Sequence, residues 1–124
     1  MIVYVPISIG ELVDKLTILA IKYQHATDTG VKSNILHEAD LLLIKLATLC
    51  LPDEIDTLGE ALYNVNQELW DIEDAKRKHE RDQRFDRDFI QLARMVYIKN
   101  DLRASIKRQI NMLCGSSIIE EKIY

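Results

Sequence analysis

Apolar residues recur at helical spacing along most of this chain, and the run from Phe89 to Cys114 is the most informative. At about 100° per residue, Phe89, Leu92, Ala93 and Val96 share one face. The same line then continues through Asn100, Arg103, Lys107 and Asn111. Polar groups stand where a core stripe should continue, which points either to a lined cavity or to a buried hydrogen-bonded network. A parallel stripe of Leu102, Ile106, Ile110 and Leu113 offers the alternative that the buried face rotates and leaves the polar residues on its edge.

Three further helices precede this one. Ser8 and Glu11 have capping-box spacing, so a first helix opens at Ser8 and carries Ile9, Leu12, Val13, Leu16, Leu19, Ala20 and Tyr23 on one stripe until Thr27–Gly30. The second begins between Asp28 and Ser33, buries Ile35, Ala39, Leu42, Leu43, Leu46 and Leu49, and stops before Pro52. The third runs from near Asp53 to about Arg81 along Ile55, Leu58, Leu62, Val65, Leu69 and Ile72, and Asp82–Asp86 supplies the turn and cap for the fourth, which ends at Gly115. Short loops between four helices predict an all-α, up-and-down four-helix bundle whose helices three and four form its long hairpin. The β-branched termini, Met1–Ile7 and Ser117–Tyr124, read as short strand-like arms that can pair within or between chains.

Helices one and two also carry Ile18, Ile21, Leu41 and Ile44 away from those stripes. A second buried face is implied, and a symmetric homo-oligomer, a homodimer in the simplest case, is the expected cover.

Length and composition narrow the function classes. The 124 residues make one helical domain spanning 1–124, large enough to bury a sizeable core. With 16 Lys and Arg against 20 Asp and Glu the net charge is −4, and the only dense basic run, Lys76–Arg81, is interrupted by Glu80. No nucleic-acid or membrane partner is expected from such a surface. Cys50 and Cys114 lack any paired spacing, so reduced, packed thiols in a cytoplasmic protein are expected.

Helix three repeats the oddity of helix four, because Asn66 and Glu73 project onto its apolar stripe with Trp70 and Arg77 on the flank. If the hairpin turns near position 84, Asn66 lies level with Asn100 and Arg103, and Glu73 near Val96 and Tyr97. Asn66, Glu73, Tyr97, Asn100, Arg103 and Lys107 would then line a site for a small anionic or hydroxyl-rich ligand: arginine for bidentate oxyanion contacts, lysine as a point charge, asparagine for hydroxyls. The competing reading is a structural network or subunit interface built from the same groups.

No cofactor is expected on the leading reading. The alternative is Mg²⁺, held by the i, i+3 pairs Glu11 with Asp14 and Glu68 with Asp71, as in all-helical pyrophosphohydrolases. That family, however, resembles ExxE followed closely by ExxD, and no ExxE occurs here. Di-iron chemistry fails outright, since the positions three before His25, His37 and His79 hold Lys22, Asn34 and Lys76.

The stretches GELVDKLTIL (Gly10–Leu19), LWDIED (Leu69–Asp74), NDLRASIKRQIN (Asn100–Asn111) and EEKIY (Glu120–Tyr124) together resemble a family of small bacterial helical proteins of unknown function, in which similar stretches recur in this order over nearly the whole chain. The resemblance implies no substrate, cofactor or catalytic residue. At Ala20 this chain departs from the family's LTILEIK pattern, which implies that an acidic contact on helix one is missing here. The expected function is a noncatalytic small-ligand-binding or assembly module. The alternatives are a Mg²⁺-dependent hydrolase of a nucleotide or related phosphate ester, and a structural protein–protein interaction module.

Overall fold

In the computed structural model, which describes residues 1–124, the chain forms α1 (Ile9–His25), α2 (Thr29–Ala47), α3 (Ile55–Arg81) and α4 (Arg87–Cys114). It is an all-α, four-helix arrangement without a sheet. Local chemistry sets the boundaries. Ser8 and Asp28 cap α1 and α2 by accepting the Glu11 and Val31 N–H groups at 3.0 and 2.9 Å, and Asp86 caps α4 through the Phe89 N–H. The Pro52 carbonyl accepts the Ile55 N–H in the turn that leads into α3. Gly115 ends α4 at φ 65°, in the left-handed region that glycine reaches without a Cβ penalty.

The helices do not contribute equally to the interior. Helices α1, α3 and α4 pack on one another, whereas α2 touches α1 alone. The core is Val13, Leu62, Val65, Ile106 and Ile110, with Ile9, Ile55, Leu58, Ala61 and Cys114 packed against it. It therefore sits beside the C-terminal half of α4, and the stripe through Ile106 and Ile110 is the one that reaches the interior. No residue of α2 is fully buried. Leu43, expected inside, is exposed, as are Ala20 and Tyr23 of α1.

The hairpin register agrees with a turn near position 84, since Lys99 of α4 pairs with Glu68 of α3. The terminal arms differ from the ribbon that their sequences suggest. Neither is paired as a strand, and in the C-terminal arm Glu120, Glu121 and Lys122 are engaged by α4 side chains instead. Both cysteines are free; Cys114 is half-buried, but Cys50 is exposed rather than packed. Burial raises the Cys114 thiol above its usual pKa. No helix is long and apolar enough to cross a membrane.

Candidate functional site

The polar line on α4 is its seam with α1. The two helices run antiparallel, and three successive turns of α4 present Arg103, Lys107 and Asn111 to Asp14, Glu11 and Gly10 respectively. At the first rung the Arg103 guanidinium forks onto Asp14, with Nε donating to Oδ1 at 3.0 Å and Nη2 to Oδ2. Asp14 is fully buried, and it also accepts Asn66 Nδ2 from α3 at 2.8 Å. The same Asn66 amide donates to Thr17 Oγ1, whose hydroxyl donates to the Asp14 carbonyl. One carboxylate thus ties three helices together.

At the second rung Lys107 Nζ donates to Glu11 Oε2 at 2.5 Å and to Glu120 Oε2 at 3.4 Å. Glu120 in turn accepts the Ser8 hydroxyl at 2.6 Å, so the C-terminal arm and the α1 cap close on the same lysine. At the third, buried Asn111 accepts the Gly10 N–H at 2.6 Å. A Cβ on Gly10 would lie 2.6 Å from the Lys107 carbonyl oxygen, and this is why the close approach of α1 and α4 requires glycine.

These neighbours set the ionisation of the cations. The Asp14 hydrogen bond raises the Arg103 guanidinium above its ordinary pKa against the opposing effect of burial. For Lys107 burial is the largest influence and lowers the ammonium. The Glu11 hydrogen bond and the charges of Glu11, Asp14 and Glu120 together outweigh it, and the net shift is upward.

Beyond the seam, toward the hairpin tip, a cavity of about 390 Å³ opens between α1, α3 and α4. Asn66, Trp70, Glu73, Asp74 and Arg77 face it from α3, and Asn100 and Arg103 from α4. Ile18, Ile21 and Leu69 supply its apolar wall. The α3 residues Trp70, Glu73, Asp74 and Arg77 are spaced i, i+3, i+4 and i+7, one continuous helical face. Trp70 stacks on His25 of α1, ring centroids 4.5 Å apart and planes at 20°. Its indole Nε1 is buried and has no hydrogen-bond partner.

Of the six residues the sequence nominates for a ligand, Asn66, Glu73, Asn100 and Arg103 converge on this cavity. Tyr97 is exposed outside it, because it stands about 100° around α4 from half-buried Val96. Lys107 also lies outside it, one turn further along α4 and held by Glu11 and Glu120. The carboxylates considered for Mg²⁺ are not brought together. Glu11 and Asp14 face cations in the seam, Glu68 pairs with Lys99, and Asp71 is exposed and accepts from Gln67. No group of three or more His, Cys, Asp or Glu residues assembles anywhere in the chain.

Among the residues proposed for a subunit interface, Ile21 is only 1% exposed within a single chain and Ile18 lines the cavity, which leaves Leu41 and Ile44 on the surface. The parts that the sequence did not join are Asp14 as the partner of Arg103 and Glu120 as the partner of Ser8 and Lys107. Opposite charges at matching helical steps on α1 and α4 were the available signal.

An apolar three-helix core, an ion-paired seam between α1 and α4 and an adjoining cavity lined by both charged and apolar residues define an all-helical module. The chain belongs to DUF6165, a family of unknown function, whose model matches residues 3–124. No curated protein and no solved structure matches the chain.

Proposed function

We propose that the chain is a noncatalytic small-ligand-binding module and that its site is the cavity between α1, α3 and α4. The observation that carries this reading is Trp70, which lines a cavity of ligand size beside Glu73, Asp74 and Arg77 and whose indole Nε1 is a buried donor without an acceptor. Leaving such a donor unpaired costs about 1–3 kcal/mol, and a ligand oxygen would recover it once the ring turns to bring Nε1 to the cavity surface.

The rest of the lining indicates what that ligand carries. Asp14 already neutralises Arg103, and Lys76 pairs with Glu73 at 3.4 Å. Arg77 has no ion pair, so it is the cation left to receive an acid group. Glu73, Asp74 and the Asn100 amide are suited to hydroxyl or amine donors. A small molecule with one oxyanion and several hydroxyl or amino groups fits this lining better than a polyanion, because Glu73 and Asp74 repel a second negative charge.

Trp70 is the only tryptophan, so its emission reports on the site directly. Carboxylates, phosphorylated metabolites, nucleotides and sugar nucleotides are to be screened by thermal shift and tryptophan fluorescence, each with and without Mg²⁺. A binder that raises Tm and loses affinity at least about tenfold in Arg77→Ala supports the site. Arg77 makes no ion pair in the chain, so that variant leaves the fold intact. A binder unaffected by Arg77→Ala and Trp70→Phe, or a screen with no binder, overturns it.

A further inference from the structure

We infer that α2 is an interior helix of a homodimer, with a second copy of this chain covering its outward faces. The C-terminal half of α2 carries apolar residues in every direction: Leu41, Leu42, Leu43 and Ile44 are consecutive and therefore point four ways around the helix. A helix of that kind is ordinarily surrounded by protein. Here only the side through Ile35, Ala39, Leu42 and Leu46 is partly covered, by α1. Leu36, Leu41, Leu43 and Ile44 are 46%, 39%, 49% and 66% exposed.

The surface area points the same way. The chain exposes 8591 Å², against about 6,800 Å² for a compact monomer of its 14.4 kDa. The excess is roughly 1,800 Å², and a stable dimer needs about 800 Å² from each partner. Part of the excess lies on the exposed terminal arms, and the outward faces of α2 supply further, largely apolar area. A membrane is the poorer occupant, since α2 carries Glu38 and Asp40 among its apolar residues and the chain is net negative. A second copy brings the same apolar surface with the same mixed charges, the self-complementary situation of a two-fold interface.

The interface thus shifts from Ile18 and Ile21, which the chain uses internally, to Leu36, Leu41, Leu43 and Ile44. Sedimentation equilibrium of the full chain at 10 to 100 micromolar (a range of roughly one decade, chosen so that a dissociation constant near about 1 μM is resolved) is expected to give twice the single-chain mass. Leu43→Glu and Ile44→Glu are expected to give the single-chain mass, while Tyr97→Glu, an exposed site on α4, leaves the dimer unchanged. A wild-type monomer overturns the inference, and so does a dimer that survives both α2 variants. If those variants fail to fold, the urea midpoint of the wild type decides: it rises with protein concentration for this dimer, and a concentration-independent midpoint overturns it.

Discussion

Arg103 of α4 forks onto Asp14 of α1, and Asp14 is fully buried while the arginine side chain retains 29% exposure. The carboxylate depends on that contact and on Asn66 for its stability out of water. Removing the arginine leaves a buried charge with a single side-chain amide. Arg103→Ala should therefore lower unfolding free energy by about 3 kcal/mol, in the range for breaking a buried pair. Asp14→Leu in the same background should recover much of the loss. A double-mutant cycle in urea checks this, and additive losses would show that the pair is not coupled.

Gly10 is the second point where α1 and α4 are fixed. Helix propensity alone favours Gly10→Ala by about 1 kcal/mol. The new Cβ would meet the Lys107 carbonyl oxygen at 2.6 Å and Asn111 Oδ1 at 2.9 Å, and a backbone atom inside a packed helix pair cannot turn aside. Net destabilisation of about 1–3 kcal/mol is expected, the range for overpacking. Equal or higher stability in chemical denaturation would mean that the helices separate freely at this step.

Helix existence was legible in the sequence because caps and breakers at Ser8, Asp28, Asp86 and Gly115 agree with the apolar periodicity. So was the hairpin register, through which Asn66, Asn100 and Arg103 were placed together. What periodicity alone could not supply was the partner of each polar residue. Asp14 and Glu11 have the same i, i+3 spacing whether they hold a metal or two cations, and only the antiparallel passage of α4 distinguishes the cases. The exposure of α2 was illegible for a related reason: the apolar run Leu41–Ile44 predicts burial, but not which chain does the burying.

Trp70 should show the opposite balance from a structural aromatic. In the ligand-free protein Trp70→Phe removes an unpaired buried donor, offsetting the packing lost with the smaller ring. Stability within about 1 kcal/mol of wild type is expected, against the usual 1–3 kcal/mol or more for truncating a packed side chain. Thermal melts without ligand test this. A large loss would make the indole a packing element rather than part of a binding site.

Lys107 gives the seam an alkaline signature. Its folded pKa is raised above the ordinary value of 10.5, so the stability it contributes is fully present below that value and disappears as pH rises through the higher folded value. The stability difference between wild type and Lys107→Gln, measured in urea, should be constant from pH 8 to 10 and shrink at higher pH (a window set by a lysine pKa of about 10.4 in the unfolded chain). Titration common to both proteins cancels in that difference. A gap that widens with pH would reverse the sign of the linkage and place Lys107 in an environment dominated by burial.

The C-terminal arm is fastened at one residue more than at the others. Glu120 reaches buried Ser8 and half-buried Lys107, whereas Glu121 with Arg108 and Lys122 with Asp101 are pairs on the surface. Exposed pairs contribute little, while a charge-assisted bond to a buried cap contributes more. Glu120→Ala should therefore cost about 1–2 kcal/mol, and truncation after Ser117 only slightly more, with helix content retained in both. Glu121→Ala and Lys122→Ala should each stay within about 0.5 kcal/mol of wild type. If truncation proves far more damaging than Glu120→Ala, the arm holds the fold through Ile118 and Ile119 packing, and the Ser8–Glu120–Lys107 clasp is secondary.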